Sequence, residues 1–149
     1  MNPYSIREAL LAKHAQHVVL IHFPVALFTA GVAFDFAAMW TKRCALAAAA
    51  YYNFLIAALS TPLVVATGLL AWRFAFAGGK LKGILLQHLV LGVVSSAMIC
   101  LVWHAHFRSR RKSEQTLPSY LLAVEVVALG LIGITAHLGG YLSGVNIPS

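Results

Sequence analysis

Four long apolar segments alternate with short polar stretches along the chain. They run from about residue 17 to 40, 45 to 72, 83 to 104 and 118 to 138. Each one reaches the roughly 20 residues that a helix needs to cross the hydrocarbon core of a membrane. The runs are too long and too uniformly apolar for the alternating strands of a membrane barrel. The pattern therefore predicts an all-α fold, an integral membrane four-helix up-down bundle.

Basic or glycine-containing stretches separate the segments, and tryptophan marks three of the segment ends, as interfacial anchors do. The separating stretches are Lys42-Arg43, Arg73 to Lys82 and Arg108 to Pro118, and the anchors are Trp40, Trp72 and Trp103. Residues 1–16 are expected to form an interfacial N-terminal segment, and residues 17–149 the transmembrane domain. Pro24 and Pro62 lie inside the first and second helices, where they are expected to produce kinks that make room for a ligand.

Composition supports the membrane assignment. Hydrophobic residues make up 60% of the 149 positions and charged residues 10%, against about 45–50% and about 25% in soluble domains. The net charge of +7 points to anionic lipid headgroups and loop topology, with no nucleic acid as partner. The densest basic cluster, Arg108 to Lys112, mildly favours a cytoplasmic loop between the third and fourth helices.

Four histidines are expected at one end of this bundle. His17 and His22 open the first apolar segment, His88 opens the third, and His137 closes the fourth. In an up-down bundle these three helix ends lie on one side of the membrane, so the imidazoles converge. Ionisable or metal-binding side chains inside a membrane are costly and are functional candidates by default.

The rise of about 1.5 Å per residue predicts two levels of histidines. His22 and His88 form the inner level, and His17 and His137 form the rim. Two neutral imidazoles on diagonal helices can hold a haem iron between them in an apolar slot. We therefore expect His22 and His88 to be axial ligands of a haem b, and His17 and His137 to be a second pair or contacts to propionates or a quinone. Neighbouring polar residues that can orient these groups are Thr67, Gln87, Thr135 and Tyr141.

Two other interpretations of the same residues stay open. Three or four of the imidazoles can bind a copper or zinc ion, which needs donors converging to about 2.0–2.1 Å from one point. The chain can also be a cofactor-free structural subunit that docks other membrane helices. Hydrolytic motifs such as G-x-S-x-G and H-E-x-x-H are absent from the sequence, so an electron-transfer subunit is favoured over a stand-alone enzyme.

The polar residues of the opposite half are given structural roles. His104 and His106 are expected to be ordinary interfacial residues, as is His14. Asp35 is expected to pair with Lys42 or Arg43 or to bond between helices. Glu125 is expected to pair with Asn53 or Arg108, with proton transfer together with Asp35 as a lesser alternative.

Several stretches resemble a known family, the domain-of-unknown-function 2231 family of small four-helix bacterial membrane proteins. The matching stretches are His17 to Leu27 (HVVLIHFPVAL), Phe34-Asp35, Thr67-Gly68-Leu69, His88, and His137 to Gly140 followed by Gly144-Val145. The family's recurring histidines and frequent association with cytochromes imply haem or metal binding. The resemblance thus implies a b-type cytochrome or haem-binding subunit of a respiratory redox complex in the bacterial inner membrane. Its partners would be quinone, other redox membrane subunits or cytochromes, or a second copy of the chain. With the Arg108 to Lys112 loop in the cytoplasm, the histidine end would face the periplasm.

Overall fold

A computed structural model describes residues 15–75, 77–111 and 119–144. The regular secondary structure of these residues is entirely helical. Five helices follow one another along the chain: α1 (Ala15–Leu20), α2 (His22–Thr41), α3 (Cys44–Ala75), α4 (Gly83–Arg111) and α5 (Ser119–Leu142). The N-terminal interfacial segment expected over residues 1–16 falls almost wholly outside the described residues.

Helices α1 and α2 are two parts of one membrane span, which covers Gln16–Thr41. The interruption lies at Ile21, one turn before Pro24. A proline ring clashes with the carbonyl four residues earlier and has no N–H to offer it, so a helix is disturbed in the preceding turn. The backbone bond from the Ile21 N–H to the His17 carbonyl (3.0 Å) bridges the interruption.

The helices pack in a ring. Helix α2 packs against α3, α3 against α4, α4 against α5, and α5 back against α2, while α1 contacts α3. Successive helices joined by short loops run in opposite directions, so the predicted up-down bundle of four spans is confirmed. Helices α2 and α4 lie on one diagonal of this ring, and the ends of the bundle alternate as the sequence indicates.

Two helices extend well beyond their predicted ends. Helix α4 ends at Arg111 rather than near residue 104, and α5 ends at Leu142 rather than near residue 138. The last turn of α4 carries three arginines, whose charge is favourable at a helix C-terminus and whose long stems reach back toward water. As a result His106 lies inside a helix, more than one turn before its end.

The outer surface of the bundle is apolar. The four spans have a mean hydropathy of 1.9–2.1, yet only 11–28% of each most apolar window is buried inside the protein. Large side chains such as Leu59, Val93 and Ile134 are mostly exposed on this outside. Helices that are apolar on every side and still expose that surface are suited to lipid, so the protein is a multi-pass membrane protein.

The interior follows one stripe on each helix. On α2 the buried positions are Pro24, Phe28, Gly31, Val32 and Asp35, and on α4 they are Ser95, Ile99, Val102, His106 and Ser109. Aliphatic and aromatic side chains fill the middle of the stripe, where Phe28 packs edge-on against Phe54 with ring centroids 5.1 Å apart. Polar side chains flank this apolar core towards both ends of the bundle.

Candidate functional site: two polar clusters at the ends of the bundle

The helical repeat brings His17, not His22, to the interior. His17 precedes Asp35 by eighteen positions, which is five full turns, so the two side chains share one face of the span. His22 is five positions from His17 and is therefore rotated from that face by about 140°. In the structure His17 is half-buried and His22 is exposed.

His17 and His88 face each other across the diagonal of the bundle. Their ring centroids are 6.4 Å apart, and the ring planes are nearly perpendicular at 83°. With metal–imidazole bonds of about 2.0–2.1 Å, two rings that share one ion have centroids roughly 6 Å apart. The expected inner level of His22 with His88 is thus replaced by a pair of His17 with His88, which we call the histidine pair.

The hydrogen bond of His88 fixes the position of its proton. Its Nδ1 lies 3.0 Å from the backbone carbonyl oxygen of Thr135. Because a carbonyl only accepts, Nδ1 carries the proton, and Nε2 keeps the lone pair that a metal needs. Ligating histidines characteristically use their other ring nitrogen in this way.

His17 is held in the same tautomer by Thr67. The Nδ1 of His17 lies 3.3 Å from the Thr67 hydroxyl oxygen. That hydroxyl donates its single proton to the Leu63 carbonyl (2.9 Å) or the Val64 carbonyl (3.0 Å), so its oxygen accepts from His17 Nδ1–H. Thr67 and Thr135 therefore orient the two imidazoles, as expected, and both Nε2 atoms carry lone pairs.

Glycines on two other helices make room for the pair. A Cβ at Gly68 of α3 would lie 2.9 Å from Cε1 of His17, and a Cβ at Gly139 of α5 would lie 3.1 Å from Cε1 of His88. Both distances are shorter than the about 3.5–4.0 Å of relaxed carbon contacts. Each imidazole thus rests against helix backbone that any larger residue would push away.

A cavity of about 640 Å³ opens beside the histidine pair. Its walls are mainly aliphatic side chains from all four spans, and His17, His22 and His88 all line it. Ligand and cofactor sites in proteins typically have volumes of about 300–1,000 Å³ and few polar groups. The small residues Gly68, Gly92 and Ser95 also line it.

The other two predicted ligands lie further out. His22 donates from Nδ1 to the Val18 carbonyl (2.7 Å), which leaves its Nε2 as an acceptor. His137 is exposed and packs edge-on against Tyr141, with ring centroids 5.8 Å apart. The same end of the bundle therefore presents four imidazoles, of which two form a close pair.

A second polar cluster lies towards the other end of the interior. Asp35, His106 and Glu125 come from three different spans and are 2%, 2% and 0% exposed. His106 Nε2 lies 2.8 Å from Glu125 Oε1 and 3.9 Å from Asp35 Oδ2. We call these three residues the carboxylate–histidine triad.

The expectation that His106 is an ordinary interfacial residue was wrong. Helix α4 continues past it, and the buried stripe of α4 passes through it, eighteen positions after His88. Glu125 contacts His106 rather than Asn53 or Arg108, and Asn53 donates to the Ala49 carbonyl instead. The eighteen-residue spacing, which His17 and Asp35 share, is a sequence signal from which this cluster could have been predicted.

Comparison with family models decides the family. The model described as "predicted membrane protein (DUF2231)" matches residues 13–145. The chain belongs to this family. The match to DUF2231 covers all the helices described above and includes both polar clusters. Comparison with curated proteins and with solved structures finds no match.

Proposed function

We propose that this DUF2231 protein is a membrane b-type cytochrome, alone or as a haem-binding subunit of a redox complex. The observation that carries the proposal is the histidine pair, two half-buried imidazoles with lone pairs at Nε2 beside one large apolar cavity. His17 and His88 would be the axial ligands. His17 replaces His22 in this role because it lies on the buried face of its span.

The residues present fit a haem in three respects. The centroid separation of 6.4 Å suits two imidazoles sharing one iron. Gly68 and Gly139 let both rings approach the backbone of neighbouring helices. The cavity is large and mainly apolar, which is the environment that bis-imidazole haem sites use. A haem b bound there would supply a one-electron carrier whose potential depends on its axial ligands and burial.

The remaining polar residues of this end suit the edge of a haem. His22 lines the cavity, and Lys80 and Lys82 lie exposed in the loop between α3 and α4. Cationic side chains and imidazole donors at a rim can hold propionate groups by charge-assisted hydrogen bonds. His137, on the exposed side of α5, is placed to contact a quinone or a partner cytochrome.

The arrangement favours a haem over a copper or zinc ion at this end. An ion held by protein alone needs three or four donors within bonding distance of one point. Among the described residues, three such donors converge only in the carboxylate–histidine triad. Two facing imidazoles beside a cavity of about 640 Å³ instead suit a wide ligand that fills this cavity.

The cellular setting follows from the same proposal. Electron carriers of this kind work in the bacterial inner membrane and exchange electrons with quinone, with a cytochrome or with a redox subunit. The arginine-rich end of α4 favours the cytoplasm under the positive-inside rule, and the histidine pair would then lie on the periplasmic side. The lipid-facing apolar surface also offers area for another subunit or a second copy.

The test is a reduced-minus-oxidised absorption spectrum of the detergent-purified protein supplied with haem, with pyridine haemochrome quantification. We expect a b-type α-band that is lost in His17→Ala and in His88→Ala. His22→Ala distinguishes this pair from the sequence-based pair, since it removes an imidazole five residues away on the same span and is expected to keep the band.

Each other result has a definite meaning. Loss of the band in His22→Ala with retention in His17→Ala would restore the sequence-based pair of His22 and His88. A flat spectrum from folded protein supplied with ample haem would overturn the cytochrome proposal. Metal analysis of the same sample would then distinguish an imidazole-bound ion from a cofactor-free subunit.

A further inference from the structure

We propose that the carboxylate–histidine triad of Asp35, His106 and Glu125 binds one divalent transition-metal ion. This site goes beyond the cytochrome proposal and does not depend on it. Along α4 the triad lies eighteen residues from His88, which is about 27 Å at 1.5 Å per residue. The apolar core around Phe28 and Val102 separates the two clusters.

The donor geometry suits one ion. One ligand atom from each of the three residues lies within 4.8 Å of the other two. Around a tetrahedral ion with bonds of about 2.0–2.2 Å, donors lie roughly 3.3–3.6 Å apart. The measured separations from His106 Nε2, 2.8 Å to Glu125 Oε1 and 3.9 Å to Asp35 Oδ2, fall on either side of that range. Shifts of about half an ångström or less bring these two separations into that range.

Two buried carboxylate oxygens of the triad have no hydrogen-bond partner among the described residues. Within the described part of the chain, Asp35 Oδ2 and Glu125 Oε2 accept no hydrogen bond, although both residues are almost completely buried. A buried carboxylate oxygen that accepts no hydrogen bond destabilises the folded protein more than an unpaired neutral group does. The separation of 3.9 Å between Asp35 Oδ2 and the imidazole is too long for a hydrogen bond, so His106 alone does not satisfy it.

The charge of the triad indicates the charge of the ion that it would bind. In the form that binds an ion, two ionised carboxylates and a neutral imidazole carry two negative charges, and no Lys or Arg contacts the triad among the described residues. A divalent cation neutralises this charge within the low-dielectric interior. A mixed set of one nitrogen and two oxygens is typical of zinc, manganese or ferrous iron rather than of calcium, which prefers oxygen alone.

Phe54 packs against the His106 imidazole and restricts its position. The ring of Phe54 lies 4.7 Å from the His106 ring, centroid to centroid. Phe54 reaches this position because Gly31 has no side chain, since a Cβ there would lie 2.7 Å from the Phe54 ring. The triad lies about 8–9 Å inside the ends of its helices, which is shallow enough for an ion to arrive from the aqueous side.

The experiment measures Zn²⁺ bound to chelator-treated, detergent-purified protein by equilibrium dialysis and elemental analysis. The His17→Ala/His88→Ala double variant is the starting protein, because it removes the histidine pair as a competing site. We expect one Zn²⁺ per chain, at least a tenfold loss of affinity on adding Asp35→Asn or Glu125→Gln, and no change with His104→Gln. His104 is exposed and lies two positions from His106.

The outcomes separate this proposal from the previous one. Absence of bound Zn²⁺ in the double variant, or equal binding after Asp35→Asn and Glu125→Gln, would overturn the triad site and mean that it holds protons only. If the double variant does not fold, the parent and Asp35→Asn are compared directly, and the parent must bind one more Zn²⁺ per chain. A haem spectrum that is unchanged in Asp35→Asn would leave the cytochrome proposal standing whichever result is obtained.

Discussion

Gly31→Ala is the sharpest test of how the interior is built. The added Cβ would lie 2.7, 2.9 and 3.0 Å from three atoms of the Phe54 ring. Carbon atoms in contact prefer about 3.5–4.0 Å, so the ring must retreat by about 0.8 Å or more. Phe54 is fully buried, and Phe28 and His106 pack against it with centroids 5.1 and 4.7 Å away. A retreat of the ring therefore also displaces Phe28 or His106.

The magnitude follows from the cost of overpacking. An extra carbon in a filled core costs about 1–3 kcal/mol, whereas replacing glycine by alanine in a helix gains about 0.5–1 kcal/mol when there is room. For a chain of this size each kcal/mol shifts Tm by about 2–4 °C. At the middle of both ranges the net cost is about 1 kcal/mol. We therefore expect Gly31→Ala to lower Tm by about 2–4 °C, and by at most about 10 °C, in a thermal unfolding assay of the purified protein in detergent.

Gly130→Ala is the matched control. Gly130 lies within α5, and a Cβ there would meet nothing within 4 Å, so its Tm is expected to stay level or rise. The double variant Gly31→Ala/Phe54→Leu should recover part of the lost Tm, because leucine is smaller than phenylalanine and leaves room for the added Cβ at position 31. If Gly31→Ala unfolds at the same temperature as Gly130→Ala, the close contact between α2 and Phe54 is refuted.

Two further predictions concern the histidine pair and the membrane orientation. Thr67→Val removes the hydroxyl that accepts from His17 Nδ1 and is expected to weaken haem binding by about 10–100-fold, measured by absorbance titration. The same change at exposed Thr29, whose hydroxyl bonds only its own helix, should leave binding unchanged, and equal effects would contradict the role of Thr67. Cys44 is exposed beside the short connection between α2 and α3, while Cys100 is exposed in mid-span. A membrane-impermeant maleimide should therefore label Cys44 only after the cells are opened and Cys100 in neither case, and labelling of Cys44 in intact cells would reverse the proposed orientation.

Much of the geometry of the site can be predicted from the helical repeat of the sequence. The eighteen-residue spacing of His17 with Asp35 and of His88 with His106 places each pair on one helix face. The same repeat turns His22 away from that face, although its depth matches that of His88. Depth alone favours His22 as the partner of His88, whereas depth and rotation about the helix axis together favour His17, whose ring faces His88 in the structure.

The end of α4 shows a second limit of prediction from hydrophobicity. Arg108 to Arg111 interrupt the hydrophobic pattern, and a charged run reads as the end of a span. The backbone continues as helix because arginine is a good helix former and its charge suits the C-terminal turn. Because the helix continues, His106 lies inside the bundle and not at its edge. The hydropathy pattern of the sequence does not distinguish such a buried histidine from an interfacial one.

The sequence by itself determined the four spans, their alternating directions and the end of the bundle at which each histidine lies. These depend on hydrophobicity and helix length, which are local properties of the chain. Only the tertiary structure decided which side chains meet. The pairing of His17 with His88, the glycine contacts at Gly68 and Gly139, and the convergence of the triad depend on distances and rotations between helices. Those are set by packing of the whole interior and have no counterpart in any single segment.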